Sequence, residues 1–188
     1  MSDRFVLAAA EDLEAVRTLT EAAYRPYTEM LGAPPLPVTT DYAPRIAAGE
    51  VWLLREPFGL AGLLVLELHA DHGMIYSVAV APAFQGQGHG VRLLRHAEQQ
   101  VLAAGHGEIR LYTNARMERN LALYQSFGYR EIGRRPNPHR PGWMIVDMAK
   151  PLTAIAARAW NEILGQTAAG DVTQEPARKR PHSPIAEP

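Results

Sequence analysis

The sequence contains no cysteine, which excludes a disulfide framework, a thiolate nucleophile and a thiolate zinc site. It has no surplus of either charge, since 19 basic side chains face 20 acidic ones. The broad basic surface that nucleic acid or an anionic membrane requires is therefore not expected. No apolar run approaches membrane-spanning length, and the opening residues Met1-Ser-Asp-Arg-Phe5 lack the apolar core of a signal peptide. A cytoplasmic location is the default expectation. The 188 residues, of which 47% are hydrophobic and 21% charged, are enough for one domain with one well-buried core.

The most informative stretch is Ser77-Val-Ala-Val-Ala-Pro-Ala-Phe-Gln-Gly-Gln-Gly-His-Gly90, an apolar strand running into a glycine-rich turn that opens an amphipathic helix. Gly86, Gly88 and Gly90 allow a tight turn and close approach of a ligand, and the first amides of the helix have no intrahelical acceptor, so they favour an anion. A dinucleotide fingerprint would need glycine where Val91 stands and an acidic residue where Thr113 and Asn114 end the next strand. A Walker loop would need Lys and then Ser or Thr after the last glycine, and His89-Gly90-Val91 supplies neither. A pyrophosphate held mainly by backbone amides remains.

Gln85-Gly86-Gln87-Gly88-His89-Gly90 resembles the signature of the GNAT superfamily of acyl-CoA-dependent N-acetyltransferases: Gln or Arg, two residues, Gly, one residue, Gly or Ala. Met74 to Pro82 looks like that family's fourth strand. Asn120-Leu-Ala-Leu-Tyr124 followed by Phe127-Gly128-Tyr129 looks like its Asn/Tyr helix and Gly-aromatic strand, with Ala122 one position off the commonest spacing. The resemblance spans about positions 4 to 150. It implies an α+β fold: a mixed, mostly antiparallel sheet of about seven strands flanked by helices, with a splayed parallel pair at strands four and five.

Patterning agrees along the chain. Arg4 to Ala8 reads as a strand, and Ala10 to Tyr24 as a helix with Leu13, Val16, Leu19 and Ala23 on one face. Pro26, Gly32, Pro34, Pro35 and Pro37 are expected to break regularity, before Thr40 or Asp41 caps a short helix. Val51 to Arg55, Leu60 to His69 and Met74 to Ala81 form an antiparallel meander. A helix from about Gly90 to Ala104 buries Leu93, Leu94, Ala97 and Val101 and crosses to a parallel strand, Ile109 to Thr113. Met117 to Phe127 is a short helix, and Tyr129 to Arg134 and Trp143 to Lys150 are the last strands. The expected organisation is a domain over residues 1–150, a C-terminal helix over 151–165 anchored by Trp160, and a disordered tail over 166–188. Arg178-Lys-Arg180 reads as a solvated part of that tail.

The resemblance implies direct transfer of an acetyl group from acetyl-CoA to a primary amine, with no metal. Grip on the co-substrate falls to the amides of Gln85, Gly86, Gln87, Gly88, His89 and Gly90, with the Arg92 and Arg95 side chains near the phosphates. A backbone amide within Val78, Ala79 and Val80 is implied to polarise the thioester carbonyl, because the family bulges this strand. Tyr124 is implied as the general acid: a phenol, with a reference pKa of about 10, stays protonated at neutral pH and can donate to a departing thiolate. Asn120, one turn earlier on the same face, is implied to contact the arm of the co-substrate or the backbone holding it.

The base is open. The family often places a carboxylate on strand four, where this chain has Tyr76 and Ser77. Glu67, with His69 on the same strand face, is the candidate, and ordered water is the alternative. His69-Ala-Asp-His72 falls in a tight turn without further ligands and is not read as a metal site. Tyr24, Tyr27, Glu29, Arg135, His139 and Trp143 are the candidate acceptor-pocket residues, from the two least regular segments. The acceptor is expected to be a small-molecule or peptide amine; a homodimer is left open. The alternative reading is a domain that binds acyl-CoA without turnover, as a sensor or interaction module.

Overall fold

A computed structural model of the protein describes residues 5–138 and 140–158. Seven strands form one sheet: β1 (Phe5–Leu7), β2 (Val51–Glu56), β3 (Gly59–Leu68), β4 (Gly73–Val80), β5 (Glu108–Asn114), β6 (Arg130–Pro136) and β7 (Met144–Pro151). Their order is β1-β2-β3-β4-β5-β7-β6. Every neighbouring pair is antiparallel except β4 and β5, which are parallel. That is the mixed α+β sheet the sequence predicts, with the parallel pair where strands four and five were expected.

The parallel step needs a crossover, and α4 (His89–Ala103) provides it. Its stripe of Leu93, Leu94, Ala97 and Val101 is fully buried against Leu64, Leu66, Ile75 and Ile109 on one sheet face. The other face is covered by α1 (Leu13–Leu31), through Val16, Leu19 and Ala23, and by α3 (Ala43–Ala47), through Ile46. Gly73 shows how closely α4 approaches: a Cβ there would lie 2.1 Å from Val101 Cγ2.

Three local expectations are corrected. The first helix was expected to end near Tyr24, but after a 3-10 turn at Ala10–Asp12 it continues through Pro26 to Leu31 and stops at Gly32, with φ of 73°. A proline inside an isolated helix costs about 3 kcal/mol. Here burial of Leu31 and a hydrogen bond from Tyr27 to Asn120 hold the final turn in place. The segment after it, expected to be irregular, includes the short helix α2 (Leu36–Thr39). The cap position of α3 is Tyr42, not Thr40 or Asp41, and it makes no side-chain cap bond; Asp41 Oδ1, one residue earlier, accepts from Ala43 N at 3.0 Å.

β4 carries a bulge. Val65 pairs with Ser77 and the next residue, Leu66, pairs with Ile75, so Tyr76 is an extra residue. The insertion reverses the side-chain alternation: Ile75 packs with the α4 core, whereas Ala79, of the same parity, packs with the α1 core. Between β5 and β6 runs α5 (Glu118–Ser126), and residues 154–158 are helical. His139, Trp160 and the expected tail lie outside the described residues.

Candidate active site

The ladder between β4 and β5 has three rungs, Gly73 with Ile109, Met74 with Arg110 and Ile75 with Leu111. Beyond them β4 runs on to Val80, while β5 stays paired to β7 as far as Asn114 opposite Ile145. The two strands therefore part into a wedge. Ala81 N donates to Ala61 O at 2.9 Å, so alternation turns the backbone of Ala79 toward β3 and that of Val78 and Val80 into the wedge. Side chains meet the two carbonyls: Tyr24 Oη donates to Val78 O at 3.3 Å, and Gln85 Nε2 to Val80 O at 3.1 Å. The N–H groups of Val78 and Val80 are directed into the same opening.

At the wide end lies the glycine turn. Gly86 and Gly88 have φ of 75° and 80°, and Gly88 caps α4 without a side-chain hydrogen bond. The first amides of a 15-residue helix are thereby left for a ligand. Apart from Gln85, whose amide meets Val80 O, the side chains of the turn face elsewhere. His89 is buried with its ring against Phe84, and Nδ1 lies 2.9 Å from Arg92 Nη1. Arg92 is ion-paired to Glu56 at the end of β2, and Gln87 Nε2 donates to Ala83 O at 3.2 Å. Arg95 is exposed on α4.

Two cavities flank the wedge. The smaller, about 440 Å³, is bounded by the Gln85–Gly86 turn, Gly90 and Leu94 of α4, β4 and α5. The larger, about 570 Å³, lies between the 31–39 segment, β4, β5 and the 135–145 hairpin. Of the groups expected to grip phosphate, Gln85, Gly86 and Gly90 line the smaller cavity, whereas Gln87, Gly88, His89, Arg92 and Arg95 line neither cavity. The cavities share four residues: Tyr24, Val78, Asn120 and Tyr124. Tyr124 and Asn120, expected one helical turn apart on a common face, thus stand together where the cavities meet. Asn120 Oδ1 accepts from Tyr27 Oη at 2.6 Å, which fastens α5 to α1 across the smaller cavity.

Burial pushes the Tyr124 phenol up to about 12, with the neighbouring Tyr27 adding to the effect. The other six tyrosines are raised as well, with burial the largest cause in each. The folded protein therefore retains phenolic protons that the unfolded chain releases above pH about 10. This contribution is fully present below pH about 10 and is lost as pH rises toward the folded-state values. For Tyr124 alone it amounts to about 2–3 kcal/mol, at about 1.36 kcal/mol per unit. The melting temperature is expected to be level from pH about 7 to about 9 and to fall by more than about 5 °C by pH about 11. A level curve over the whole range would contradict the burial of these rings.

The larger cavity brings together Tyr24, Arg135 and Trp143 of the expected acceptor residues. Tyr27 lines the smaller cavity instead, and Glu29 is exposed on α1 and lines neither. Glu67 also lines neither. Its carboxylate is bound by Arg45 Nη1 at 2.7 Å, with His69 Nε2 at 3.2 Å, and the Arg45 guanidinium lies 3.8 Å above the Tyr76 ring. Glu67 thus sits behind Tyr76, beneath the cavity floor. Among the described residues, no Asp, Glu or His side chain lines the larger cavity. Sequence reasoning missed Tyr76, Tyr112 and Arg140, which do line it. Strand alternation offered a signal for Tyr112; the bulge hides Tyr76, and nothing local offered a signal for Arg140.

A seven-stranded sheet opened between a parallel pair, with an uncapped glycine turn at the wide end, defines an acyl-CoA-type cleft. The acetyltransferase (GNAT) family model matches residues 15–129, and the chain belongs to that family. No curated protein matches the sequence. Among solved structures, the chain is similar to the ribosomal-protein-S18-alanine N-acetyltransferase of Escherichia coli, with 21% identity and a TM-score of 0.63 over 81% of this chain and 95% of that one. It is similar also to the PaiA N-acetyltransferase of Thermoplasma acidophilum in complex with coenzyme A, with 16% identity and a TM-score of 0.66 over 80% and 99% of the two chains. The N-acetylglutamate synthase of Neisseria gonorrhoeae, complexed with coenzyme A and N-acetyl-glutamate, matches at 19% identity and a TM-score of 0.60, over 81% of this chain and 36% of that one. At these identities the likeness is one of fold.

Proposed function

We propose that the protein transfers an acetyl group from acetyl-CoA to a primary amine. The observation that carries this reading is Tyr124, standing where a cavity bounded by the glycine turn meets a second cavity, beside the inward amides of Val78 and Val80. Acetyl-CoA supplies the acetyl group as an activated thioester. The Gly86 to Gly90 amides suit its pyrophosphate, and the wedge between β4 and β5 suits its extended arm. The N–H groups of Val78 and Val80 suit negative charge developing on the carbonyl oxygen. The amine lone pair forms the new C–N bond as the C–S bond breaks, and the Tyr124 hydroxyl gives its proton to the sulfur. With a pKa of about 12, the phenolate then recovers a proton readily.

The proton lost by the amine passes to water in this scheme, because Glu67 is engaged by Arg45 beneath the floor. The lack of an Asp, Glu or His side chain in the larger cavity, among the described residues, is also the observation that favours the second reading, acyl-CoA binding without turnover. Thiol release from acetyl-CoA, followed across a panel of primary amines, separates the two. Amine-dependent release is expected. Binding of acetyl-CoA with no release for any amine would leave the binding module as the correct description.

A further inference from the structure

The charge lining the larger cavity has one sign. Its ionisable side chains, among the described residues, are the tyrosines already named and two arginines. Arg135 is neutralised by a two-pronged pair with Asp147, Nε to Oδ2 at 2.8 Å and Nη2 to Oδ1 at 3.1 Å. Arg140 has no carboxylate partner among the described residues. One of its Nη2 hydrogens goes to Pro34 O at 2.6 Å, and its guanidinium lies 4.8 Å from the Trp143 ring centroid. An arginine has five N–H donors in a planar fork, so this guanidinium, half-buried in the wall, has most of its donors unspent.

We infer that the acceptor is a small amino-acid-like molecule, an amine that also carries a carboxylate on an apolar or aromatic body, with Arg140 holding the carboxylate. The inference rests on the acetyl-transfer reading of this cavity. A guanidinium and a carboxylate match in shape and charge, and the pairing is strongest where water is partly excluded. The body of the acceptor would lie among Tyr76, Tyr112, Leu36, Trp143 and Ile145, and about 570 Å³ is a volume that suits a small molecule. The lining also bears on the missing base. Among the described residues it offers no carboxylate to hold a substrate ammonium, so partial exclusion of water favours the neutral amine that attacks.

Arg140 also explains why the cavity has a roof. Its bond to Pro34 O joins the 137–143 loop to the proline segment after α1, two stretches 106 residues apart in sequence. Arg140 is therefore a specificity residue whose backbone placement depends on the same contact that closes the site.

The test uses matched pairs differing only in the carboxylate: L-phenylalanine with phenethylamine, L-tryptophan with tryptamine, and L-leucine with isoamylamine. Each is measured by thiol release and by titration calorimetry with the full chain saturated with CoA. At least one amino acid is expected to exceed its decarboxylated partner about 10–100-fold in kcat/KM and in affinity, the range of a charge-assisted hydrogen bond. Arg140→Gln should bring that ratio near unity by raising KM for the amino acid far more than for its decarboxylated partner, because loss of the bond to Pro34 O falls on both members of a pair alike. Arg140→Lys should restore part of the preference. A variant that weakens both members of every pair alike would show Arg140 to be only a roof contact and would overturn the inference. So would tighter binding of the decarboxylated amines, or no amino acid bound by the wild type. Carboxylate-selective, Arg140-dependent binding without thiol release would sustain the anion site and sink the transfer reading instead.

Discussion

Tyr124→Phe is expected to lower kcat for acetyl transfer by about 10²–10⁴-fold, the usual worth of a positioned general acid, with the KM for acetyl-CoA little changed. The split follows from what the hydroxyl touches. Tyr124 lines both cavities, yet its Oη makes no hydrogen bond among the described residues; its ring meets that of Tyr129, at 6.0 Å between centroids. Phenylalanine keeps that ring contact and deletes no bond, so the melting temperature should move by no more than about 2 °C. The loss would thus fall on the step in which sulfur takes a proton. Because burial pushes the phenol up to about 12, a decline in kcat between pH about 8 and about 10 would belong to another group, and the wild-type profile should show no Tyr124 limb in that range. Unchanged kcat in the variant would remove Tyr124 from the mechanism.

The parts of this site that were legible in the sequence are those that depend on local backbone geometry. Gly86 and Gly88 need positive φ, and a strand running into such a turn leaves few alternatives for the element after it. Asn120 and Tyr124 are legible together because one helical turn places them on one face. Alternation, in contrast, gives a side chain's face and not its neighbour. Glu67 was assigned to the cleft on that basis, but Arg45, from a helix 22 residues earlier, holds it behind Tyr76. Arg92 was expected near phosphate, and its guanidinium is engaged by Glu56 at the end of β2. The bulge at Tyr76 is a tertiary fact too: one extra residue reverses the parity of the strand, and no residue type in Ile75-Tyr76-Ser77 signals it. Pro26 illustrates the opposite failure, a strong local breaker overruled by a contact with a helix far along the chain.

Gly88→Val should produce the complementary kinetic defect, a rise of about 10–100-fold in the KM for acetyl-CoA and in the Kd for free CoA, with kcat at saturation largely retained. Gly88 has φ of 80° and caps α4. A Cβ built there meets no atom within 4 Å, so crowding is not the obstacle. The obstacle is conformation: an L-residue in the left-handed region costs about 1–2 kcal/mol, more for a β-branched side chain. The turn would relax by rotating away from that region, and the amides that open α4 would lose their common aim at an anion. An added side chain at Gly88 points into open space, away from the core, so the ligand-free melting temperature should fall by only a few degrees. Gly90→Ala is the control from the same turn. Gly90 is helical and absent from the positive-φ glycines, and the nearest neighbour to an added Cβ is Val80 Cγ2 at 3.9 Å. That is an ordinary contact within the protein, and the helical backbone is kept, so CoA binding should weaken less than in Gly88→Val, by no more than the room a methyl takes from the cavity that Gly90 lines. Titration calorimetry with CoA checks both variants. If Gly88→Val binds CoA as tightly as the wild type, the glycine turn is not the pyrophosphate site, and the placement of acetyl-CoA in the wedge loses its anchor. If Gly90→Ala is the weaker binder, space near Val80 governs affinity and the conformation of the turn does not.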